Sequence, residues 1–208
     1  MGNYKIIDIE KWNRKDHFHF FKDFADPFFN VTANVDVTQL LKKSRQEKFS
    51  FFLAAVHCAQ VAIQQIESFR YRIIDDQVIC YHDVPPGTTA LGKDKVFKYA
   101  YLTHNSDRQD FIAQATKDIR EQLAHPALVP SNGVDRVYYS TMPWVSFTSF
   151  KHARNATKGD SIPRIVFGKY FEENGKQKMP VSVEVNHALV DGYHVGQYFE
   201  TFQGLLDL

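Results

Sequence analysis

A regular alternation of side chains near the C-terminus limits the folds open to this chain more than any other feature. Residues 177–186 place apolar and polar side chains on opposite sides of an extended chain. One side carries Val181, Val183, Val185 and His187, and the other carries Ser182, Glu184 and Asn186. Gly192 then allows a sharp turn, and an amphipathic helix is predicted over 193–206. The end of the chain is therefore predicted to be a strand, a turn and a helix.

Similar patterns predict the remaining elements. One helix is expected from Asn13 to Lys22, with Asp16 as a capping partner, and a second over 38–46. A third is expected to begin after a cap at Ser50, and a fourth to run from a cap at Ser106 or Asp107 to Ala124. Strands are expected over residues 6–9, 28–37, 97–103, 136–142, 145–150 and 164–171, with a hairpin over 72–74 and 78–81. Strands dominate the second half, and helices are scattered between them. This order predicts an α/β (α+β) fold in which helices cover a mixed β-sheet.

Composition narrows the functional classes. The 208 residues contain no repeat and no linker rich in Pro, Gly or Ser, so one domain over residues 1–208 is predicted. The 25 basic and 24 acidic residues nearly cancel, which argues against nucleic acid as a partner. No apolar run reaches the roughly 18–20 residues that a membrane span needs. The N-terminus lacks signal-peptide features, and Cys58 and Cys80 fit buried free thiols, so a cytoplasmic location is expected.

His187 is the first candidate for chemistry, because it follows the predicted strand and precedes the Gly192 turn. The unperturbed pKa of histidine lies near neutrality, so this side chain exchanges a proton readily. Asp191 and His194 follow within seven residues. The same pattern also fits a core histidine whose two ring nitrogens are satisfied. A metal site is not expected, because the sequence offers no third ligand pattern, no Cys pair and no HExxH motif.

Ser149 and Arg14 are the other candidates. Ser149 lies in an aromatic segment, where its hydroxyl either bonds to backbone or donates into a cavity. Arg14 stands near the start of a predicted helix, where a solvated surface charge is the ordinary outcome. If Arg14 is buried instead, it requires a carboxylate partner.

Three segments together carry a family resemblance. They are Trp12-Asn13-Arg14-Lys15-Asp16-His17-Phe18, Pro143-Trp144-Val145-Ser146-Phe147-Thr148-Ser149-Phe150 and Asn186-His187-Ala188-Leu189-Val190-Asp191-Gly192-Tyr193-His194. In this order and in a chain of this length, they resemble the chloramphenicol acetyltransferase family. The last segment alone is similar to the acyltransferase cores of 2-oxoacid dehydrogenase complexes.

The resemblance implies a reaction and roles for these residues. His187 is expected to be the general base that deprotonates a substrate hydroxyl, which then attacks acetyl-CoA directly in a ternary complex. Ser149 is expected to donate a hydrogen bond to the oxyanion, and Asp191 to pair with Arg14 in support of the site. The family assembles as a homotrimer with active sites between subunits, so the same assembly is expected here.

The resemblance also points to substrate-binding residues, some of which depart from the family pattern. Phe21, Phe97 and Val166 are expected to bind substrate, with Phe21 in place of a tyrosine that contacts the drug. Val166 stands in place of a threonine that holds a water near the oxyanion. The stretch over 152–162 contains His152, Arg154 and Lys158 and is more polar than in the family. Three functions stay open: O-acetylation of chloramphenicol or a similar acceptor, acyl transfer to dihydrolipoamide, and ligand binding with weakened catalysis.

Overall fold

A computed structural model describes residues 3–131, 133–154 and 159–208. Its strands are β1 (Tyr4–Ile6), β2 (Phe28–Asp36), β3 (Tyr71–Ile74), β4 (Gln77–Tyr81), β5 (Pro86–Leu91), β6 (Phe97–Tyr101), β7 (Val137–Met142), β8 (Arg164–Gly168), β9 (Phe171–Glu173) and β10 (Lys176–Asn186). Its helices are α1 (Lys15–Phe21), α2 (Thr38–Glu47), α3 (Phe51–Gln65), α4 (Arg108–Ala124) and α5 (Gly192–Leu206). Short 3-10 turns cover Ile9–Lys11 and Glu67–Arg70.

The larger sheet is mixed, as the sequence predicted. Its strands lie in the order β2-β10-β8-β7-β5-β6, and β9 pairs with β10. β10 runs antiparallel to both β2 and β8, whereas β7 runs parallel to β8 and β5. A smaller sheet has the order β1-β4-β3. The α/β fold with helices on a mixed sheet is thereby confirmed.

Both faces of β10 are buried, which places its end deep in the molecule. Val181, Val183 and Val185 are fully buried in the hydrophobic core, together with side chains of α3 and α5. The opposite face is polar, yet Ser182 and Glu184 are at most 1% exposed. The residue that follows β10 is therefore held by packing on two sides.

Local capping explains where several elements begin. The Ser50 hydroxyl accepts a hydrogen bond from the Leu53 backbone amide and caps α3, as predicted. Asp107, rather than Ser106, caps α4. The predicted cap at Asn13 is wrong, because α1 begins at Lys15 after an N-cap residue, Arg14, that makes no side-chain cap bond. The predicted opening strand over 6–9 is displaced to β1 and followed by a 3-10 turn.

Two strand predictions need correction in the region around Gly168. Residues 145–150 form no strand, because the Val145 amide bonds to the Met142 carbonyl and closes a turn directly after β7. The predicted strand over 164–171 ends at Gly168, where a Cβ atom would lie 2.6 Å from the Pro180 ring and 3.0 Å from Phe147. Only glycine allows this close approach.

Strand β5 was not predicted from the sequence. It begins with Pro86 and Gly87, two residues that ordinarily indicate a break, and it pairs in parallel with β7. The described helices include none with both the length and the apolar character needed to cross a bilayer.

Candidate active site

The backbone on both sides of His187 is fixed by hydrogen bonds. The His187 amide donates to the Pro27 carbonyl at 2.8 Å, which anchors the end of β10 to the start of β2. The Asn186 side chain accepts from the Ala188 amide at 2.9 Å. The Asn186 carbonyl accepts from the amides of Leu189 and Val190. His187 is therefore the second residue of a hydrogen-bonded turn that begins at Asn186.

Two phenylalanine rings hold the His187 imidazole. The Phe21 ring stacks on it with centroids 4.2 Å apart and planes 7° apart, and the Phe29 ring packs at 4.7 Å. The ring nitrogen Nδ1 is buried and has no hydrogen-bond partner among the described residues. Because Nδ1 is enclosed, Nε2 is the ring nitrogen that a substrate can approach. A buried nitrogen without a partner requires an explanation, and a catalytic role is one that fits this position.

Arg14 and Asp191 form the ion pair that the sequence suggested. Arg14 Nη1 donates to Asp191 Oδ2, and Nη2 donates to the His187 carbonyl at 3.2 Å. The Arg14 side chain is 9% exposed and that of Asp191 is 30% exposed. Burial alone would raise the pKa of Asp191, but the Arg14 bond and the nearby His194 more than offset it and lower that pKa. One guanidinium thus connects the start of α1 to the His187 turn.

Asp191 and His194 also begin helix α5. The Asp191 carboxylate accepts from the Tyr193 amide at 3.1 Å, and His194 Nδ1 accepts from the Asp191 amide at 3.2 Å. This reciprocal arrangement is a capping box with a histidine at its third position. Burial lowers the pKa of His194, against the opposing effect of Asp191. His194 Nδ1 also lies 2.9 Å from Asp191 Oδ1, a contact that favours the protonated ring but does not outweigh burial.

Ser149 lies on the loop after β7 and is exposed. Among the described residues, no hydrogen bond joins it to His187. The same loop is tied to the His187 end of the sheet, since Lys151 pairs with Asp26 at 2.8 Å and the His152 amide donates to Glu184 at 3.1 Å. One protomer therefore ties the end of this loop to the His187 end of the sheet, but it does not join the Ser149 and His187 side chains.

One cavity, here called the acceptor cavity, has a volume of about 1120 Å³. Phe97, which is 48% exposed, lies on its wall and packs against Tyr99 with centroids 5.7 Å apart. The lining does not include His187, Phe21 or Val166. Val166 is 1% exposed in β8, in register with Ser140 on β7 and Ser182 on β10. A role for Phe21 or Val166 in substrate binding stays a prediction.

A buried charge cluster lies beside the acceptor cavity and consists of His152, Arg154, Asp160, Arg164 and Glu184. Arg154 donates to Glu184 and, at 2.8 Å, to Asp160. Burial would raise the pKa of Glu184, but the bonds from His152 and Arg154 lower it to about 2. The sequence indicated a polar stretch over 152–162 but not its carboxylate partner on β10. Lys158, named in that stretch, lies outside the described residues.

A second cavity of about 460 Å³, here called the aromatic cleft, lies where α3 approaches the loop after β8. Its wall includes Phe51, Phe52, Lys169 and Tyr170. The Phe51 and Tyr170 rings are in contact at 5.9 Å, and Lys169 is exposed. Sequence reasoning missed this cleft, because its residues belong to separate elements and form no motif. In the described part of the chain, no group of three His, Cys, Asp or Glu side chains is arranged to hold a metal ion.

Comparison with solved structures defines the fold class. A solved chloramphenicol acetyltransferase aligns with a TM-score of 0.87 at 24% identity, covering 98% of this chain and 99% of the other. The cubic core of a pyruvate dehydrogenase multienzyme complex aligns with a TM-score of 0.65 at 12% identity, covering 87% of this chain and 82% of the other. The fold is therefore that of the acyltransferases, and the protein is an acyltransferase enzyme.

Sequence comparison identifies the family. The model of the chloramphenicol acetyltransferase family matches residues 2–203. The chloramphenicol acetyltransferase of Proteus mirabilis is 28% identical over 204 residues, covering 97% of this chain and 94% of the relative. That of a Klebsiella species is 29% identical over 206 residues, covering 98% and 94%. The chain belongs to the chloramphenicol acetyltransferase family, which confirms the resemblance seen in the three sequence segments.

Proposed function

We propose that this enzyme transfers the acetyl group of acetyl-CoA to a hydroxyl of chloramphenicol or of a similar small acceptor. The observation that carries the proposal is the family match, which spans residues 2–203 and so includes all three motif segments. The relatives over nearly the whole chain are named for this same reaction. The geometry around His187 supports it, because that imidazole is held rigidly and one nitrogen is left open.

The proposed reaction proceeds by direct transfer. His187 Nε2 removes the proton of the acceptor hydroxyl as its oxygen attacks the thioester carbonyl. The resulting oxyanion is stabilised by a hydrogen bond from the Ser149 hydroxyl. The tetrahedral intermediate then collapses, the C–S bond breaks, and the leaving thiolate takes the proton from the His187 imidazolium. General base catalysis of this kind contributes roughly 10²–10⁴-fold, and one oxyanion donor about 10²–10³-fold.

The residues around His187 have positioning roles in this proposal. The stacked Phe21 ring and the Phe29 ring restrict rotation of the imidazole, so its open nitrogen keeps one direction. Arg14 holds the His187 carbonyl and Asp191 together, which fixes the turn that carries the base. Small misplacements of a catalytic group reduce rates strongly, so this support is part of the catalytic design.

The aromatic cleft is the proposed site of acetyl-CoA. Aromatic rings stack on a nucleotide base, and an ammonium group pairs with phosphate. Phe51, Phe52 and Tyr170 supply the rings, and the exposed Lys169 supplies the ammonium group. The Lys169 amide bonds to the Val145 carbonyl at 2.9 Å, which connects the cleft to the loop that carries Ser149.

A homotrimer is proposed, because one protomer leaves the catalytic parts separate. His187 does not line the acceptor cavity, and Ser149 is exposed beside the loop residue Trp144, which is 67% exposed. A neighbouring subunit is expected to bring its His187 to this cavity. We place the reaction in the cytoplasm, where acyl-CoA is made and where the two buried free cysteines stay reduced.

The direct test is release of CoA thiol from acetyl-CoA in the presence of chloramphenicol. Wild-type turnover is expected to exceed that of His187→Ala by at least about 10²-fold and that of Ser149→Ala by about 10²–10³-fold. Dihydrolipoamide serves as the comparison acceptor and should be the poorer one. Because its acetylation consumes one thiol for each CoA thiol released, consumption of acetyl-CoA is followed by chromatography for both acceptors. The reaction is rejected if wild type and His187→Ala release thiol equally with chloramphenicol and with a panel of small alcohols.

Subunit mixing tests whether each site is shared. His187→Ala and Ser149→Ala chains are denatured together in equal amounts and refolded. If the two residues come from different subunits, about a quarter of the sites regain both, and activity returns to roughly that fraction of wild type. If both come from one subunit, the mixture stays as inactive as the separate variants.

A further inference from the structure

We infer that the preferred acceptor is a neutral, hydroxyl-rich compound with a sugar-like ring, recognised by Arg164, Asp160 and His152. This inference rests on the proposed acetyl transfer and specifies its acceptor. All three residues line the acceptor cavity. They belong to the buried charge cluster, which lies against β10 and β8.

The buried charge cluster is a built site with little solvent contact. The side chains of Arg154 and Asp160 are 9% and 13% exposed, and that of Glu184 is 2% exposed. The Arg154 guanidinium lies 3.4 Å from the centre of the Phe28 ring and also donates to the Ile162 carbonyl at 3.2 Å. Arg154 thus joins Asp160, which lines the cavity, to Glu184 on β10.

Arg164 is the member of the cluster whose donors are least used. Its Nη1 donates to the Ala153 carbonyl at 2.6 Å, while Nη2 is 3.6 Å from the Asp160 carboxylate, beyond normal hydrogen-bond length. A guanidinium has five N–H donors, so several remain for a ligand in the cavity. Burial lowers the pKa of Arg164, as expected for a cation that has left water without full compensation.

The free energy of folding does not explain why the charges of this cluster are buried. Buried ion pairs contribute little net stability, and apolar residues of similar volume often serve as well. A cluster kept beside an open cavity is therefore better explained by ligand recognition.

The cavity wall matches a polyol better than an apolar or anionic acceptor. Arg164 offers donors, Asp160 offers acceptor oxygens, and the Thr89 and Ser140 hydroxyls stand 3.3 Å apart on the neighbouring strands. A ring with adjacent hydroxyl groups pairs with donors and acceptors of this kind at once.

Aromatic side chains and acidic charge complete the match. Phe97, Tyr99 and Tyr138 present rings for the apolar face of a sugar. Asp75 also lines the cavity, and its negative charge disfavours an anionic acceptor.

The test compares three acceptors in the thiol-release assay: p-nitrophenyl β-glucoside, p-nitrobenzyl alcohol and chloramphenicol. The glucoside is expected to have the highest kcat/KM. Arg164→Met should lower the glucoside-to-nitrobenzyl-alcohol ratio of kcat/KM by about ten- to a hundred-fold, because charged hydrogen bonds are lost. Arg120→Met, at an exposed position on α4, is the matched control and should leave that ratio unchanged.

The outcomes separate this inference from the proposed reaction. If the enzyme acetylates chloramphenicol and nitrobenzyl alcohol but not the glucoside, the inference is overturned and the proposed reaction stands. If no acceptor releases thiol above His187→Ala, titration calorimetry with the glucoside decides. Binding that weakens at least ten-fold in Arg164→Met supports the inference, and absence of binding overturns it. Arg164→Lys keeps the charge but not the planar fork. On a logarithmic scale, it should restore less than half of the kcat/KM ratio, or of the glucoside affinity, that Arg164→Met loses.

Discussion

Replacing Arg14 tests whether the base is positioned by the ion pair beneath it. The guanidinium makes two bonds that no other single side chain can make together, one to the Asp191 carboxylate and one to the His187 carbonyl. Arg14→Met removes both bonds and the charge. Arg14→Lys keeps the charge but cannot span the two acceptors in a planar fork.

The expected magnitudes follow from burial. Removing one partner from a fully buried pair destabilises a protein by about 3–5 kcal/mol. Because the Asp191 side chain is 30% exposed, solvent screens its charge, and about 1–3 kcal/mol is expected for Arg14→Met. Loss of the bond to the His187 carbonyl should reduce kcat/KM by about 5- to 30-fold, which corresponds to roughly 1–2 kcal/mol in the transition state. Arg14→Lys should fall between this variant and wild type in both quantities.

Thermal unfolding and thiol-release kinetics measure the two effects separately. Lys15→Met is the matched control, since Lys15 is the next cation along the chain and its pair with Glu10 is on the surface. Surface pairs contribute about 0–1 kcal/mol, so this control should stay close to wild type in stability and rate. If Arg14→Met matches Lys15→Met in both measurements, the ion pair does not position the base.

Three further results are expected. Phe21→Ala should lower kcat/KM by about 3- to 10-fold, because a stacked ring contributes roughly 0.5–1.5 kcal/mol. Tyr4→Ala, which removes an exposed aromatic ring on β1, should stay within about two-fold, and an equal loss in both variants would refute the stacking role. Val166→Thr should raise kcat, because the family resemblance places a threonine that holds a water near the oxyanion at this position. Ser140 and Ser182 lie in register with Val166, so a hydrogen bond to either should keep the loss of stability to about 1–2 kcal/mol. An unchanged kcat would contradict this role of the threonine. The stability of the wild type should also depend on pH through His194, because burial lowers its pKa in the folded protein below the ordinary 6.5. As the pH drops below about 6.5, the unfolded chain binds the proton before the folded protein does, so the free energy of unfolding falls. Urea unfolding at several pH values should show a smaller fall in His194→Asn, and identical slopes would contradict the assignment.

Parts of the fold with strong local patterns were predictable. The alternation over β10 and the glycine after it defined a strand, a turn and a helix, because side-chain period and backbone freedom depend on neighbouring residues alone. The same holds for α3, whose start is fixed by the Ser50 hydroxyl three residues from the amide it accepts. Arg14 and Asp191 were paired through the family resemblance, since 177 residues separate them.

Other parts depend on contacts that a linear pattern does not contain. Residues 145–150 have the aromatic content of a strand, yet Val145 makes bonds only to a turn and to Lys169 rather than along a ladder. β5 begins with two residues typical of breaks and is stabilised by pairing with β6 and β7. Arg154 finds its carboxylate on β10, 30 residues away. In each case tertiary pairing outweighs local preference.

The position of His187 supports a site completed by a second copy of the chain. Its Nδ1 is enclosed and unpaired, so the useful face of the ring is the one that points away from the packed turn. His187 is not among the described residues that line the acceptor cavity of the same protomer. Within one protomer, His187 and the acceptor cavity are therefore separate parts of the proposed site. Since symmetric assembly repeats one contact around an axis, a single interface that brings His187 to a neighbour's cavity completes every site at once.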